Sequence, residues 1–293
     1  YDFTPSDRTT KFGTSEDLKE FKVFFDGSEQ DKFYTYFGAF SATHNFNKMN
    51  SLTFNWSGFK TKEREAYDIN GEYWLNNDGD DESLGIGTYH EHARNRLNAS
   101  MVNVGITGQN RFSSHWLRYG ALMKMEKVDE TMREWEMRDS AGYSLPHSPE
   151  RLDLIYNIVS VNSEKSKHYE IYFQDTWRKD VAEGSLVLNY GARLTHWDWS
   201  KETLFSPRAT VAFTPANNDN LTYRFSTGVY YQTPFYKEMR DTTKVNNNTM
   251  AFLRTDIKSQ RSIHFVLGME YKFRVNQRPF KFTAEAYYKA LSN

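Results

Sequence analysis

The sequence predicts an all-β chain, an antiparallel meander forming part of a transmembrane β-barrel and supplying about 11 strands of it. Three observations predict this. The composition is polar yet rich in aromatic residues, apolar residues recur at every second position over unusually long runs, and the connections alternate between short and long.

Composition comes first. The 293 residues carry a net charge of −1, so no basic footprint points to nucleic acid. Mean hydropathy is −0.78, and no run of 18 apolar residues exists to cross a bilayer as a helix. Yet aromatic residues make up 16% of the chain, with 22 Phe, 19 Tyr and 7 Trp. Low hydropathy with many aromatics suits strands that show one face to lipid and the other to a wet lumen, with aromatic girdles at both interfaces. A chain of this kind is expected in the bacterial outer membrane. The chain has no cysteine, which excludes a disulfide framework. It starts at Tyr1 with no visible leader and reads as a piece of a longer or processed protein.

The strands justify themselves by period. From Ile263 the residues Ile263, Phe265, Leu267, Met269, Tyr271 and Phe273 alternate with His264, Val266, Gly268, Glu270 and Lys272. Phe280, Phe282, Ala284, Ala286 and Tyr288 do the same against Lys281, Thr283, Glu285, Tyr287 and Lys289, as do Leu221–Tyr231 against Thr222–Tyr230. Successive side chains point to opposite faces, so each strand has one apolar and one polar side. Expected strands are 19–26, 31–43, 51–61, 89–108, 114–127, 167–180, 185–199, 204–214, 220–232, 259–274 and 279–290. In 89–108 the apolar parity switches from Leu97, Ala99 and Met101 to Val102, Val104 and Ile106, which predicts a bulge near Met101. The segment 121–138 is the one stretch with helical character, and 126–138 reads either as an amphipathic helix or as the top of a strand.

Connections 44–50, 109–113, 181–184, 215–219 and 275–278 are short or moderate, whereas 62–88, 128–166 and 233–258 are long and polar. Two members of the long-loop set, near 27–30 and 200–203, are short. Outer-membrane barrels have short periplasmic turns and longer extracellular loops, so the long set is expected at one end.

Three patches then follow one another. They are Tyr172-Phe173-Gln174-Asp175-Thr176-Trp177, Leu186-Val187-Leu188-Asn189-Tyr190-Gly191-Ala192-Arg193 and Phe205-Ser206-Pro207-Arg208-Ala209. Asn220–Arg224 and Tyr231-Gln232-Thr233-Pro234 come next. In this order they resemble the barrel of TonB-dependent outer-membrane receptors, well over 170–234 and loosely over 31–65 and 259–290. The resemblance implies a 22-strand barrel around a folded plug and active uptake of a bulky or scarce nutrient. Energy would come from the inner-membrane TonB complex acting through the plug, which this chain does not contain. A passive or structural barrel and a β-rich surface module that binds a ligand stay open as alternatives. From the residues themselves, Gln174 and Asp175 are expected to order the periplasmic rim and Trp177 to sit in an interfacial belt. Asn189, Gly191, Arg193 and Thr195 are expected to face the lumen, and Pro207 to lie at a strand start or edge because it lacks a ladder donor.

Candidate ligand contacts are aromatic or lumen-facing: Trp74, Tyr89, Trp135, Arg224 and Tyr230. Asp78, Asp80 and Glu82 form an oxygen-rich loop that could hold calcium, but it lacks the spacing of an EF-hand, so a solvated loop tip and no metal are expected. His90 and His92 share a strand face without a third ligand nearby. With no phosphate loop and no nucleophile motif, neither an enzyme nor a cofactor is expected. Expected partners are the TonB complex, outer-membrane lipid and a small or oligomeric nutrient.

Overall fold

The computed structural model describes residues 2–14, 17–79, 83–139, 152–245 and 248–292. Strands run β1 (Asp2–Thr14), β2 (Asp17–Asn45), β3 (Asn50–Asn77), β4 (Ser83–Phe112), β5 (His115–Asp139), β6 (Asp153–Val181), β7 (Gly184–Trp197), β8 (Glu202–Pro215) and β9 (Leu221–Gln232). A short helix α1 (Tyr236–Met239) and a hairpin, β10 (Arg240–Val245) and β11 (Asn248–Leu253), precede β12 (Gln260–Val275) and β13 (Arg278–Ser292). The sheet order is β1 to β9 and then β12 and β13, every neighbour antiparallel, and the path stays open between β1 and β13.

The turns follow from local chemistry. Asn276 and Gln277 take φ of 48° and 66°, as a two-residue primed hairpin turn between right-twisted strands requires. In the turn before β3, Asn47 Oδ1 accepts from the backbone N–H of Met49 and Asn50 at 2.8 and 2.9 Å. The ends of the strands that meet at β2–β3, β4–β5, β6–β7, β8–β9 and β12–β13 share one end of the sheet, and those at β3–β4, β5–β6, β7–β8 and β9–β12 share the other. The long connections therefore cluster as expected.

Register shows which residues share a face. Arg224 lies opposite Gly268, and Glu270 opposite Thr283, so these belong to the same face as Glu285. Phe225, Leu267 and Ala286 are directly opposed on the other face. Following the pairs across the sheet gives an apolar outer face that includes Phe54, Val104, Ile171 and Phe205, and a polar inner face.

The two halves of the sheet differ in height. Strands β7, β8, β9, β12 and β13 have 14, 14, 12, 16 and 15 residues, which suits one tilted bilayer crossing. Strands β2 to β6 have 29, 28, 30, 25 and 29. They form a wall that continues past the bilayer on the long-loop side.

This wall accounts for most departures from expectation. The predicted strands 19–26 and 31–43 are one strand, β2, with no turn at 27–30. Most of the predicted loop 62–88 is strand, since β3 ends at Asn77 and β4 starts at Ser83. Much of the loop 128–166 is likewise strand, and 121–138 lies within β5, which bears out the strand alternative for 126–138 over the helix. Register is continuous through Met101, so there is no bulge there. The switch in apolar parity has another cause. Val102, Val104 and Ile106 face outward at bilayer depth, whereas Leu97, Ala99 and Met101 belong to the inner face, the first two above the bilayer. Strand β1 was not anticipated. Pro207 lies inside β8, but the β8–β9 ladder stops at Arg208, beside the residue that has no N–H to donate.

The segment 233–259 folds back rather than projecting. Its β10–β11 hairpin pairs in parallel with the free edge of β6 at Ile158 and Val159, above the top of β7. Ser160 donates to the Ala251 carbonyl at 3.2 Å, and Trp199 Nε1 to that of Arg254 at 3.3 Å. Met239 is buried.

Candidate ligand-binding vestibule

The inner face of the wall is acidic, and the alternation of its strands makes it so. In β5 the inward residues include Glu126, Glu130, Glu134 and Glu136, while Lys127 and Arg133 point outward. In β3 the inward set includes Glu63 and Glu65, while Lys60, Lys62 and Arg64 point outward. β6 alternates without a break from Val161 to His168: Asn162, Glu164, Ser166 and His168 are buried inward, and Val161, Ser163, Lys165 and Lys167 are exposed.

The 233–259 segment closes one side of this vestibule. Glu130, 8% exposed, accepts from the Tyr236 hydroxyl at 3.0 Å and from Arg240 at 3.1 Å. Burial, then the Glu130 charge, pushes the Tyr236 phenol well above its usual range. A cleft of ≈ 330 Å³ opens beside them, lined among others by Asp31, Glu63, Glu65, Glu134, Lys237 and Arg240. Asn95 bridges Glu65 and Glu134 at 2.9 and 2.5 Å. Burial, then Glu134, Glu91 and Glu65, pushes Tyr67 up to about 12. This face offers carboxylate acceptors to hydroxyl and N–H donors, and its concave field raises the local concentration of positive charge.

Deeper in the lumen a second cleft, ≈ 350 Å³, has Lys124, His168, Glu170, Arg193 and Arg208 among its lining residues. Arg193 pairs with Glu170 at 3.3 Å within the chain. Arg224 reaches Glu270 at 3.0 Å, and Arg208 lies over the Tyr230 ring at 4.3 Å.

The five candidate contacts do not converge. Arg224 and Tyr230 face the lumen at bilayer depth, and Tyr89 faces inward high on the wall, under Arg138 at 5.5 Å. Trp74 and Trp135 lie on the outward face, where Trp135 stacks with His92 at 5.1 Å. His90 meets the same ring edge-on at 4.7 Å, and His92 Nδ1 lies 2.6 Å from Asp68. Asp78 is paired with Lys11, whereas Asp80 and Glu82 lie outside the described residues. Among the described residues no group of three metal-ligating side chains forms. Glu130, Glu134, Tyr236 and Arg240 were missed. The four glutamates of 126–138, all at even positions, were the available signal for the first two.

The three motif patches have structural work. Asp175 Oδ2 lies 2.6 Å from His115 Nδ1 and accepts from the Tyr190 hydroxyl at 3.0 Å, so it ties β5 and β7 to β6 near the short-turn end. Trp177 stacks on His115 at 6.2 Å beside it. A Cβ at Gly191 would come 2.3 Å from the Phe173 carbonyl oxygen, so only glycine lets β7 approach β6 there. The family model that matches residues 1–293 is "TonB dependent receptor-like, beta-barrel". The chain belongs to this family.

This receptor barrel is also similar to several solved structures. The RagAB peptide transporter is 8% identical with a TM-score of 0.45, over 97% of this chain and 44% of that one. The ferric enterobactin receptor PfeA is 10% identical with a TM-score of 0.43, over 91% and 49%. The siderophore receptor PirA from Acinetobacter baumannii is 11% identical with a TM-score of 0.41, over 90% and 49%. The chain thus spans about half the length of these structures. No curated protein sequence matches the TonB-dependent receptor chain.

Proposed function

We propose that this chain is part of the barrel of an outer-membrane importer that takes up a bulky or scarce nutrient, energised by the TonB complex. Membership of the receptor family over residues 1–293 carries the reading. The apolar outer face and polar inner face support its place in a bilayer, and the open edges at β1 and β13 leave room for further strands. A plug outside this chain would close the lumen and receive the pull of the TonB complex. The vestibule under the β10–β11 hairpin would meet the nutrient first. The chain's role is binding and passage rather than chemistry.

The test is uptake by the intact protein as the sole route for a candidate nutrient, in cells with and without the TonB complex. Uptake should stop when the complex is deleted. Unchanged uptake would replace the reading with a passive channel.

A further inference from the structure

The inner face at the short-turn end holds two arginines that share one ring. Trp116 lies directly opposite Arg111, and Arg118 is the next inward residue of β5. The Arg118 guanidinium stands 3.7 Å from the Trp116 ring centroid, and that of Arg111 stands 4.6 Å from it. Both arginines are exposed, and among the described residues neither side chain makes an ion pair or a hydrogen bond.

Arg118 is also one wall of a cleft of ≈ 330 Å³ whose other lining side chains are all neutral. Register lays them out in two neighbouring rows. Ser51, Gln109 and Arg118 are directly opposed across β3, β4 and β5. Thr53, Thr107 and Gly120 form the next row, which ends at Tyr172 on β6. Gly120 is needed there, because a Cβ on it would come 2.6 Å from the Tyr172 ring. The cleft thus offers hydroxyls and amides beside one guanidinium, and among the described residues no carboxylate lines it.

A solvated arginine at a barrel rim is the ordinary explanation, and the geometry weighs against it. Stacking holds the Arg118 guanidinium by its face and leaves its in-plane N–H donors free, a fork matched to a carboxylate. Arg111 brings a second positive charge to the same ring, and an anion beside Arg118 would relieve the repulsion between them. The neutral lining then decides what carries the anion. The buried cores of polypeptide interfaces are more apolar than this cleft. Its hydroxyl and amide side chains donate and accept at once, as the hydroxyls of a sugar do.

We propose that this cleft binds a carboxylate-bearing, hydroxyl-rich unit of the imported nutrient, an acidic sugar. Arg118 donates to the carboxylate, Ser51, Gln109 and the two threonines meet the hydroxyls, and Trp116 holds the guanidinium in place. This rests on the importer reading above and names a substrate class for it.

The test titrates the intact receptor in detergent micelles with trigalacturonic acid and with its methyl ester, and reads binding by calorimetry. Wild type should bind the acid roughly tenfold more tightly than the ester, and R118Q should lose about that factor for the acid. R118K keeps the charge without the planar fork and should fall between wild type and R118Q. K127Q, outward on β5, should change nothing. Equal binding of acid and ester, or unchanged binding by R118Q, overturns the proposal. Inorganic phosphate binding as tightly as the acid also overturns it, since the cleft would then be a general anion site. Failure of wild type to bind the acid overturns it too, and a lower melting temperature for R118Q would then place a carboxylate of the receptor's own polypeptide in the cleft. Binding in micelles needs no TonB complex, so each of these outcomes leaves the importer reading to the uptake test.

Discussion

Single residues carry the bilayer's constraint in opposite directions on the two faces. Leu267 is 62% exposed in the chain, which in a barrel means exposed to lipid, whereas its inward neighbours His264 and Glu270 meet water or partners. Leu267→Arg should destabilise the intact barrel by roughly 2–4 kcal/mol at mid-bilayer depth, and His264→Arg far less. Unfolding from liposomes measures both, and equal costs would reverse the face assignment. Asp175 is the second test at this scale. It is 4% exposed although it sits on the outward parity, held by His115 and Tyr190. Asp175→Ala orphans both donors and should cost about 2–3 kcal/mol. Tyr190→Phe removes one bond and should cost less than half of that in the same assay.

At the scale of elements, β6 and the hairpin above β7 depend on each other. The buried inward column of β6 needs a cover, and the hairpin needs the free edge of β6. Arg240 joins them through Glu130, with 26% and 9% of the two side chains exposed. Arg240→Ala leaves a buried carboxylate short of a partner. It should weaken docking by about 1–3 kcal/mol, less than a fully buried pair because Arg240 keeps water contact. Faster amide exchange over Asn248–Leu253, with β7 to β9 unchanged, is the expected readout. Glu164 works the other way. Burial, then the nearby Glu126 charge, raises its carboxyl above the ordinary range, with Ser166 partly opposing. A carboxyl whose folded value is raised binds its proton more tightly when folded. Its stabilising contribution is present in acid and is lost as pH rises through that raised value. Glu164→Gln should therefore raise the melting temperature at neutral pH, with the gain shrinking as pH falls toward the ordinary glutamate range. A gain independent of pH would contradict this.

For the whole molecule, the wall concentrates glutamate on one side: Glu63, Glu65, Glu126, Glu130, Glu134 and Glu136 face the vestibule, whereas the outward face mixes Lys60, Lys62, Arg64 and Lys127 with Asp68, Glu72 and Asp129. On the proposed outer-membrane placement, the alternation of reversals would put the tops of β5 and β6 outside the cell and turn 46–49 in the periplasm. The chain has no cysteine of its own, which makes single-cysteine labelling clean. In intact cells Thr131→Cys should react with a membrane-impermeant maleimide, while Asn47→Cys should react only after the outer membrane is permeabilised. The opposite pattern would invert the topology.

Sequence alone determined the all-β class, the antiparallel meander, the two faces of β9, β12 and β13, and the receptor motifs. Within the bilayer the outward residue must be apolar and the inward one need not be, so hydropathy alternates and every second residue is legible. Above the bilayer water wets both faces, and that constraint disappears. This is why 62–77, 128–139 and 153–166 read as loops although they are strands. There the surviving signal was the even spacing of Glu126, Glu130, Glu134 and Glu136 in β5, which hydropathy does not register. Only the tertiary structure decided the height of the wall, the docking of β11 on β6, and the meeting of Glu130 with Tyr236 and Arg240 across more than 100 residues of sequence. Such contacts depend on which strand edge is left free, here that of β6 above the end of β7, and strand lengths across the whole sheet set that.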